Sequence, residues 1–266
     1  MDLRVAGKSY IVVGGSRGMG WETVRILAAE GAHVAVVCRD PDAIADQAAE
    51  LARDHGTTVR AYSGDVSVPG NIDRTIADIA ARQGAPRGLA MTHHAMNTNA
   101  PFDQITEADW TMLFQNSLMG AVRTCNAVLP LMAANGGGNV VLVSAYSARA
   151  PKPQIVAYAV FKAALVNLTK SLAKTYGPHG IRVNSVAPGA IKTGRYDSRI
   201  AALLTENPEM TKGEAEQIVL SRIDMKVALG RYGEPSEAAD MIAFLLSERA
   251  AYATGLIANV DGGTDF

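Results

Sequence analysis

The sequence predicts an α/β fold: a doubly wound parallel sheet of about seven strands with helices on both faces. Three observations lead there. Short continuous apolar runs, such as Ser9-Tyr-Ile-Val-Val-Gly14 and Gly31-Ala-His-Val-Ala-Val-Val-Cys38, read as strands buried on both sides, the habit of parallel sheets. Segments of helical periodicity lie between them, so strands and helices alternate. The 25 glycines among 266 residues suit tight strand-to-helix turns. No internal repeat or linker breaks the pattern, so residues 1–266 are expected to form one domain.

Each element follows in order. After the first strand, Gly14-Gly-Ser-Arg-Gly18-Met-Gly20 leads into a helix from Trp21 to Glu30, then the strand ending at Cys38. This is a βαβ unit with a glycine-rich first turn; glycines let backbone approach a pyrophosphate, whose charge a helix N-terminus favours. Asp40 reads as the N-cap of a helix beginning at Pro41, with a polar-faced stretch from Asp42 to His55. Thr58 to Ser63 is the third strand, and Ile72 to Gln83 a helix ending at Gly84. The fourth strand, Gly88 to Thr92, runs into His93-His94-Ala95-Met96; adjacent histidines on a strand point to opposite faces, so they do not chelate one metal together. Thr106, with Asp109 at the third position, starts a helix carrying Trp110, Phe114 and Asn116, reaching about Ala134 and ended by Gly136-Gly-Gly138. Asn139 to Ser144 is the fifth strand, the apolar segment from Tyr158 to Tyr176 a helix stopped by Gly177-Pro178, and Ile181 to Ala187 the sixth strand. Residues Gly194 to Leu229, with Met210 and Met225 among their apolar positions, read as one or two short helices forming a mobile lid. Glu234-Pro235 opens the last helix, and Leu256 to Val260 closes the sheet before Asp261-Gly-Gly.

Composition excludes several classes. A formal net charge of -1, with both signs interspersed, argues against nucleic-acid or anionic-membrane partners, which need a basic patch. Cys38 and Cys125 are far apart and form no ligand spacing, so no metal site or disulfide framework is expected. The N-terminus has no signal-peptide layout, and no apolar run is read as reaching the ~18 residues of a membrane span. A cytoplasmic protein is expected.

The chemistry centres on Tyr158-Ala-Val-Phe-Lys162. On a helix, Tyr158 and Lys162 are one turn apart on the same face. An ammonium beside a phenol favours the phenolate. A tyrosine titrates near ~10, so bringing one to neutrality needs roughly 3 units, about 4 kcal/mol of differential stabilisation. Such a pair is a general acid/base for an alcohol or carbonyl. Taken alone, the same spacing also decorates ordinary amphipathic helices.

The Gly-x-x-x-Gly-x-Gly turn after the first strand, together with Tyr-x-x-x-Lys downstream, resembles the short-chain dehydrogenase/reductase family over essentially the whole chain. The resemblance implies a Rossmann-like fold and hydride transfer between a nicotinamide cofactor and a small carbonyl or alcohol substrate. Tyr158 would exchange the proton, Lys162 would lower the phenol's pKa and hold the nicotinamide ribose, Asn116 would support a water relay, and a serine would polarise the carbonyl. Cofactor contacts are expected from Gly14, Ser16, Arg17, Gly18, Met19 and Gly20, from Cys38 and Arg39, from Asp65 and Val66, from His94 and Ala95, and from Tyr158 and Lys162. Pro188, Gly189, Ile191 and Thr193 would close over the nicotinamide. A carboxylate at the end of the second strand would repel a 2′-phosphate; Arg39 stands there instead, with Arg17 in the turn, so NADP(H) is favoured over NAD(H). Both arginines facing solvent is the alternative, as an ordinary turn aspartate is for Asp65. The family also packs its two long helices against a second subunit, which implies a homo-oligomer, dimer or tetramer.

The chain departs from the family at three places. His93 to Met96 replaces Asn-Asn-Ala-Gly, and Met96 should crowd the cofactor ribose; His93 would take the place of an asparagine that ties neighbouring strands, while His94 packs or reaches toward the cofactor. The serine position falls on Ala145. Ser144, which ends the strand, is the nominated substitute, and Ser147, two residues on from Ala145, is the alternative. Phe161 stands where a small residue is usual. These departures keep open a non-redox lyase or isomerase and a silent NADP(H)-binding protein. The apolar lid favours, faintly, a hydrophobic or cyclic carbonyl compound.

Overall fold

The computed structural model describes the chain except Met1, residues 96–99, 223–224 and 265–266, and the side chain of Arg195. Seven parallel strands form one sheet: β1 (Ser9–Val13), β2 (His33–Cys38), β3 (Val59–Ser63), β4 (Gly88–Met91), β5 (Gly138–Val143), β6 (Ile181–Pro188) and β7 (Ile257–Val260). Their spatial order is β3-β2-β1-β4-β5-β6-β7. The winding reverses between β1 and β4, so a crevice opens beyond the carboxyl ends of these two strands. The register sets Val13 beside Val37 of β2 and Met91 of β4, so the three turns that follow start at one level.

Alternation along β1 assigns the two layers. Tyr10 and Val12 pack with Val24 and Leu27 of α1 (Gly18–Ala29), Ala48 of α2 (Ala45–His55) and Ile242 and Leu246 of α9 (Pro235–Leu246). Ile11 and Val13 face the other layer, with Ile72 and Ile76 of α3 (Asn71–Gln83), Val128 and Leu129 of α5 (Gly120–Ala134) and Leu165 of α6 (Val156–Tyr176). Successive strand residues point to opposite faces, and here both faces are covered by apolar helix stripes.

The helix beginning after Thr106 departs from the expected single run. Thr106 and Asp109 make a reciprocal capping box for α4 (Glu107–Leu113), but the helix then widens into a π-helical stretch, Phe114–Met119, before α5 resumes. Asn116 sits in the wide stretch and donates from Nδ2 to the Met112 carbonyl at 2.9 Å, a side-chain donor for a backbone acceptor where the ladder is altered. The helix expected from Pro41 begins instead with a short 3₁₀ turn, Asp42–Ile44, whose Ala43 amide donates to Asp40 Oδ1 at 3.3 Å.

Among the described residues, two helical stretches, Glu107–Ala134 and Pro153–His179, are long and apolar enough by length and composition to cross a bilayer, which corrects the expectation that no stretch would be. Their apolar inner faces pack on the sheet through Ala121, Cys125, Val128, Leu165 and Ala173, as core helices of a layered α/β fold do. Residues 194–229 contain α7 (Gly194–Glu206) and α8 (Lys212–Ser221), which share a small core of Tyr196, Ile200, Leu203, Ala215 and Val219 with Tyr232.

Candidate active site

The turns singled out in the sequence gather at the carboxyl edge of the sheet. Gly14 leaves β1 with φ +82°, and a Cβ there would lie 2.7 Å from the backbone of His93. A Cβ on Gly20 would lie 2.4 Å from the Gly14 carbonyl oxygen and 2.5 Å from Thr92 Oγ1. These two glycines let the first turn, α1 and the end of β4 close on one another. Gly20→Ala should therefore cost about 1–3 kcal/mol through forced backbone displacement, and should weaken nucleotide binding at least tenfold. Denaturant unfolding and NADPH fluorescence titration measure both; wild-type values for either would show that the turn tolerates a side chain.

The start of α1 is suited to an anion. Its N-cap, Arg17, is extended and makes no side-chain capping bond, and its first turn has no acidic residue. The first amides thus keep their partial positive charge toward the glycine turn. Arg17 and Arg39 are both exposed, and neither is in an ion pair among the described residues. The cradle, the uncapped amides and the two cations fit a phosphorylated dinucleotide. Ser16 and Met19 are half-buried in the same turn, and Cys38 is buried, its thiol pushed up by burial and donating to the Asp40 carbonyl at 3.3 Å.

After β3, Asp65 Oδ1 accepts from the Ser67 amide at 2.8 Å and hydroxyl at 2.6 Å. The Ser67 hydroxyl is the largest cause holding this carboxyl below its usual range, and the Arg39 charge adds to it. These two bonds fold the carboxylate into the turn after β3 through its Oδ1. Val66 is buried, and its carbonyl accepts from Arg123 at 3.0 Å.

Beyond β4 the two histidines separate. His93 has its Nε2 buried without a hydrogen-bond partner among the described residues, so this atom ties no strands together. Burial first, then the charges of Lys162 and Arg39, push its pKa down to about 4, while Asp65 and the Asn116 side chain oppose the shift. It is a neutral imidazole at physiological pH. His94 is exposed, and its ring meets Tyr158 edge to face, with centroids 5.3 Å apart and Nδ1 3.5 Å from the phenol oxygen. Ala95 follows, half-buried; Met96, expected to crowd the ribose, lies outside the described residues.

Tyr158 and Lys162 occupy one face of α6, both buried, with the Lys162 ammonium 5.5 Å from the Tyr158 ring centre. Lys162 Nζ donates to the Val143 carbonyl at 2.8 Å, and desolvation lowers its pKa to about 8. Asn116 is brought to the same corner, beside His93.

Ser144 requires a correction. Its hydroxyl is buried within the sheet, donating to the Val186 carbonyl at 3.2 Å and accepting from Ser185 Oγ at 2.8 Å. Both bonds run to β6, because the end of β5 stays paired to that strand and turns this side chain toward it. Ser147, in the short 3₁₀ turn Tyr146–Ala148 that packs on α6, has a buried Oγ with no partner among the described residues. The sequence signal for it was the two-residue offset from Ala145, but only an extended chain keeps that offset on one face, and the chain turns here.

Pro188 ends β6, and the Gly189 amide donates to the Val260 carbonyl at 3.0 Å. Ile191 is buried and bridges to Gly233, with Lys192 N to Gly233 O at 2.9 Å; Thr193 precedes α7 without spending its side chain on a cap. Phe161 packs against Trp110 and Phe114, with ring centres 5.8 and 6.0 Å away, joining α6 to α4 and the π-helical stretch.

Among known proteins, residues 13–265 match the family model described as enoyl-(acyl carrier protein) reductase. The human dehydrogenase/reductase SDR family member 4 is 32% identical over 264 residues, 98% of this chain and 88% of that protein. The crystal structure of L-sorbose reductase from Gluconobacter frateurii, complexed with NADPH and L-sorbose, is similar with a TM-score of 0.91 at 29% identity, covering 99% of this chain and 98% of that one. The NADPH-bound structure of a short-chain oxidoreductase from Pseudomonas aeruginosa PAO1, described as containing an atypical catalytic center, gives 0.87 at 27% identity, covering 98% of each chain.

Proposed function

Because the chain belongs to the short-chain dehydrogenase/reductase family of oxidoreductases, we propose that it interconverts a small carbonyl compound and its secondary alcohol with NADP(H), using Tyr158 as the acid/base. One observation carries the reading: Tyr158 and Lys162 lie side by side and buried, at the edge where the uncapped start of α1 opens. The nicotinamide supplies or accepts the hydride when bound. Tyr158 gives its hydroxyl proton to the carbonyl oxygen as the alcohol forms, and takes it back in the reverse direction. Lys162 keeps a positive charge beside the phenol and so favours its ionised form. Ser147, not Ser144, is the hydroxyl left to polarise the carbonyl. Arg17 and Arg39 would hold the 2′-phosphate, with the glycine turn along the pyrophosphate and residues 188–193 over the nicotinamide.

Titration with NADPH, NADH, NADP+ and NAD+ tests the cofactor, and a panel of ketones, ketoses and cyclic diketones followed at the nicotinamide absorbance tests the reaction. NADPH should bind at least tenfold more tightly than NADH. Arg39→Asp should reverse that order, since a carboxylate repels the 2′-phosphate and accepts from a free ribose. Tighter NADH binding by the wild type would refute the NADP(H) assignment. Substrate turnover in which the bound nucleotide never changes redox state would replace the oxidoreductase with a lyase or isomerase, a reading motivated by Ala145 and the inward commitment of Ser144.

A further inference from the structure

Tyr158 is a buried residue, yet an acid/base must recover its proton from water after every turnover. Lys162, His93 and His94 are titratable groups that the described residues bring to this corner of the site. Lys162, beneath Tyr158 on α6, is fully enclosed and commits a proton to the Val143 carbonyl. His93 is neutral, with a buried Nε2 that has no hydrogen-bond partner among the described residues. His94 alone of the three is exposed, and its Nδ1 is 3.5 Å from the phenol oxygen. Asp65 and Arg39 stand behind His93 and act on it. A 3.5 Å separation is long for a hydrogen bond, and such catalytic contacts often tighten when a site is loaded.

We propose that His94 is the solvent-side proton relay of Tyr158, in place of an interior route alone. This rests on the acid/base reading above. In carbonyl reduction the Tyr158 O–H bond breaks as the substrate O–H bond forms, while the reduced nicotinamide nucleotide supplies the hydride to carbon. The His94 Nδ1–H bond then breaks as the Tyr158 O–H bond re-forms, and Nε2 takes a proton from water, so the ring ends neutral as the other tautomer. Alcohol oxidation runs the same transfers backwards. Imidazole suits the task because it titrates between about pH 5 and 8, where both forms are accessible. His94 acts through Tyr158 and is a positioning and relay residue.

The test needs no substrate. The full chain, free and NADP+-loaded, is labelled with 13C at tyrosine Cζ and 15N in the histidine rings, and titrated by NMR. The wild-type Tyr158 Cζ resonance should move in step with the His94 imidazole, and that step should vanish in both His94→Asn and His94→Gln. Glutamine keeps reach and polarity without titrating, so a packing effect alone would leave it closer to wild type. Identical Tyr158 curves in wild type and variants would overturn the relay. So would a tenfold loss of NADPH affinity with an unchanged Tyr158 curve, which would make His94 a nucleotide contact only. A wild-type protein that binds none of the four nucleotides would instead refute the parent reading, a result the same samples distinguish.

Discussion

Tyr158→Phe should lower turnover about 10³-fold, within the range general acid/base catalysis contributes, while leaving NADPH affinity within twofold and the fold intact. The ring stays, so its contacts with His94 and the Lys162 ammonium survive; only the hydroxyl goes. Steady-state rates on the substrate identified by the carbonyl panel, with nucleotide titration on the same preparation, make the comparison. A variant that turns over at the wild-type rate would mean the proton comes from another group, and the acid/base assignment would fall. Loss of nucleotide binding together with activity would instead assign the hydroxyl chiefly to the cofactor.

Lys162→Met separates chemistry from stability. Activity should fall about 10²-fold or more, because the phenol loses the cation that favours its ionised form. Stability should not fall with it. Lys162 is buried at 2% exposure, and desolvation brings its pKa from 10.5 to about 8. Between those values the unfolded chain holds the proton more firmly, so native stability decreases as pH falls from about 10.5 to 8 and the penalty is complete below 8. At pH 7 that penalty is about 3 kcal/mol, and the lost bond to the Val143 carbonyl offsets about 1 kcal/mol of the relief. The methionine variant should thus be at least as stable as wild type in denaturant at pH 7, with its advantage shrinking as pH rises from 8 toward 10.5. A variant destabilised at pH 7 would show that the ammonium is compensated by contacts worth more than its desolvation.

What the chain encodes locally was legible in its sequence. Continuous apolar runs specified strands covered on both faces, and the alternation with helices specified a parallel sheet, because βαβ connections have one favoured hand. The Thr106–Asp109 box, the glycine turn before α1 and the one-turn spacing of Tyr158 and Lys162 depend on residues within a turn of one another. Tertiary structure decided the rest. The Tyr158–His94 contact joins residues 64 apart in sequence. Ser144 is claimed by Ser185 and Val186, 41 and 42 residues away, so its face follows from strand pairing and not from its place beside Ala145. The π-helical stretch at Asn116 keeps the apolar pattern of an α-helix and differs only in its hydrogen-bond ladder, which hydrophobic periodicity does not report. Lys162 reads as a surface residue by type, and becomes a desolvated cation only because α6 lays it against the end of β5. Periodicity and spacing are properties of neighbours along the chain; burial, hydroxyl partners and side-chain reach are set by neighbours across the fold.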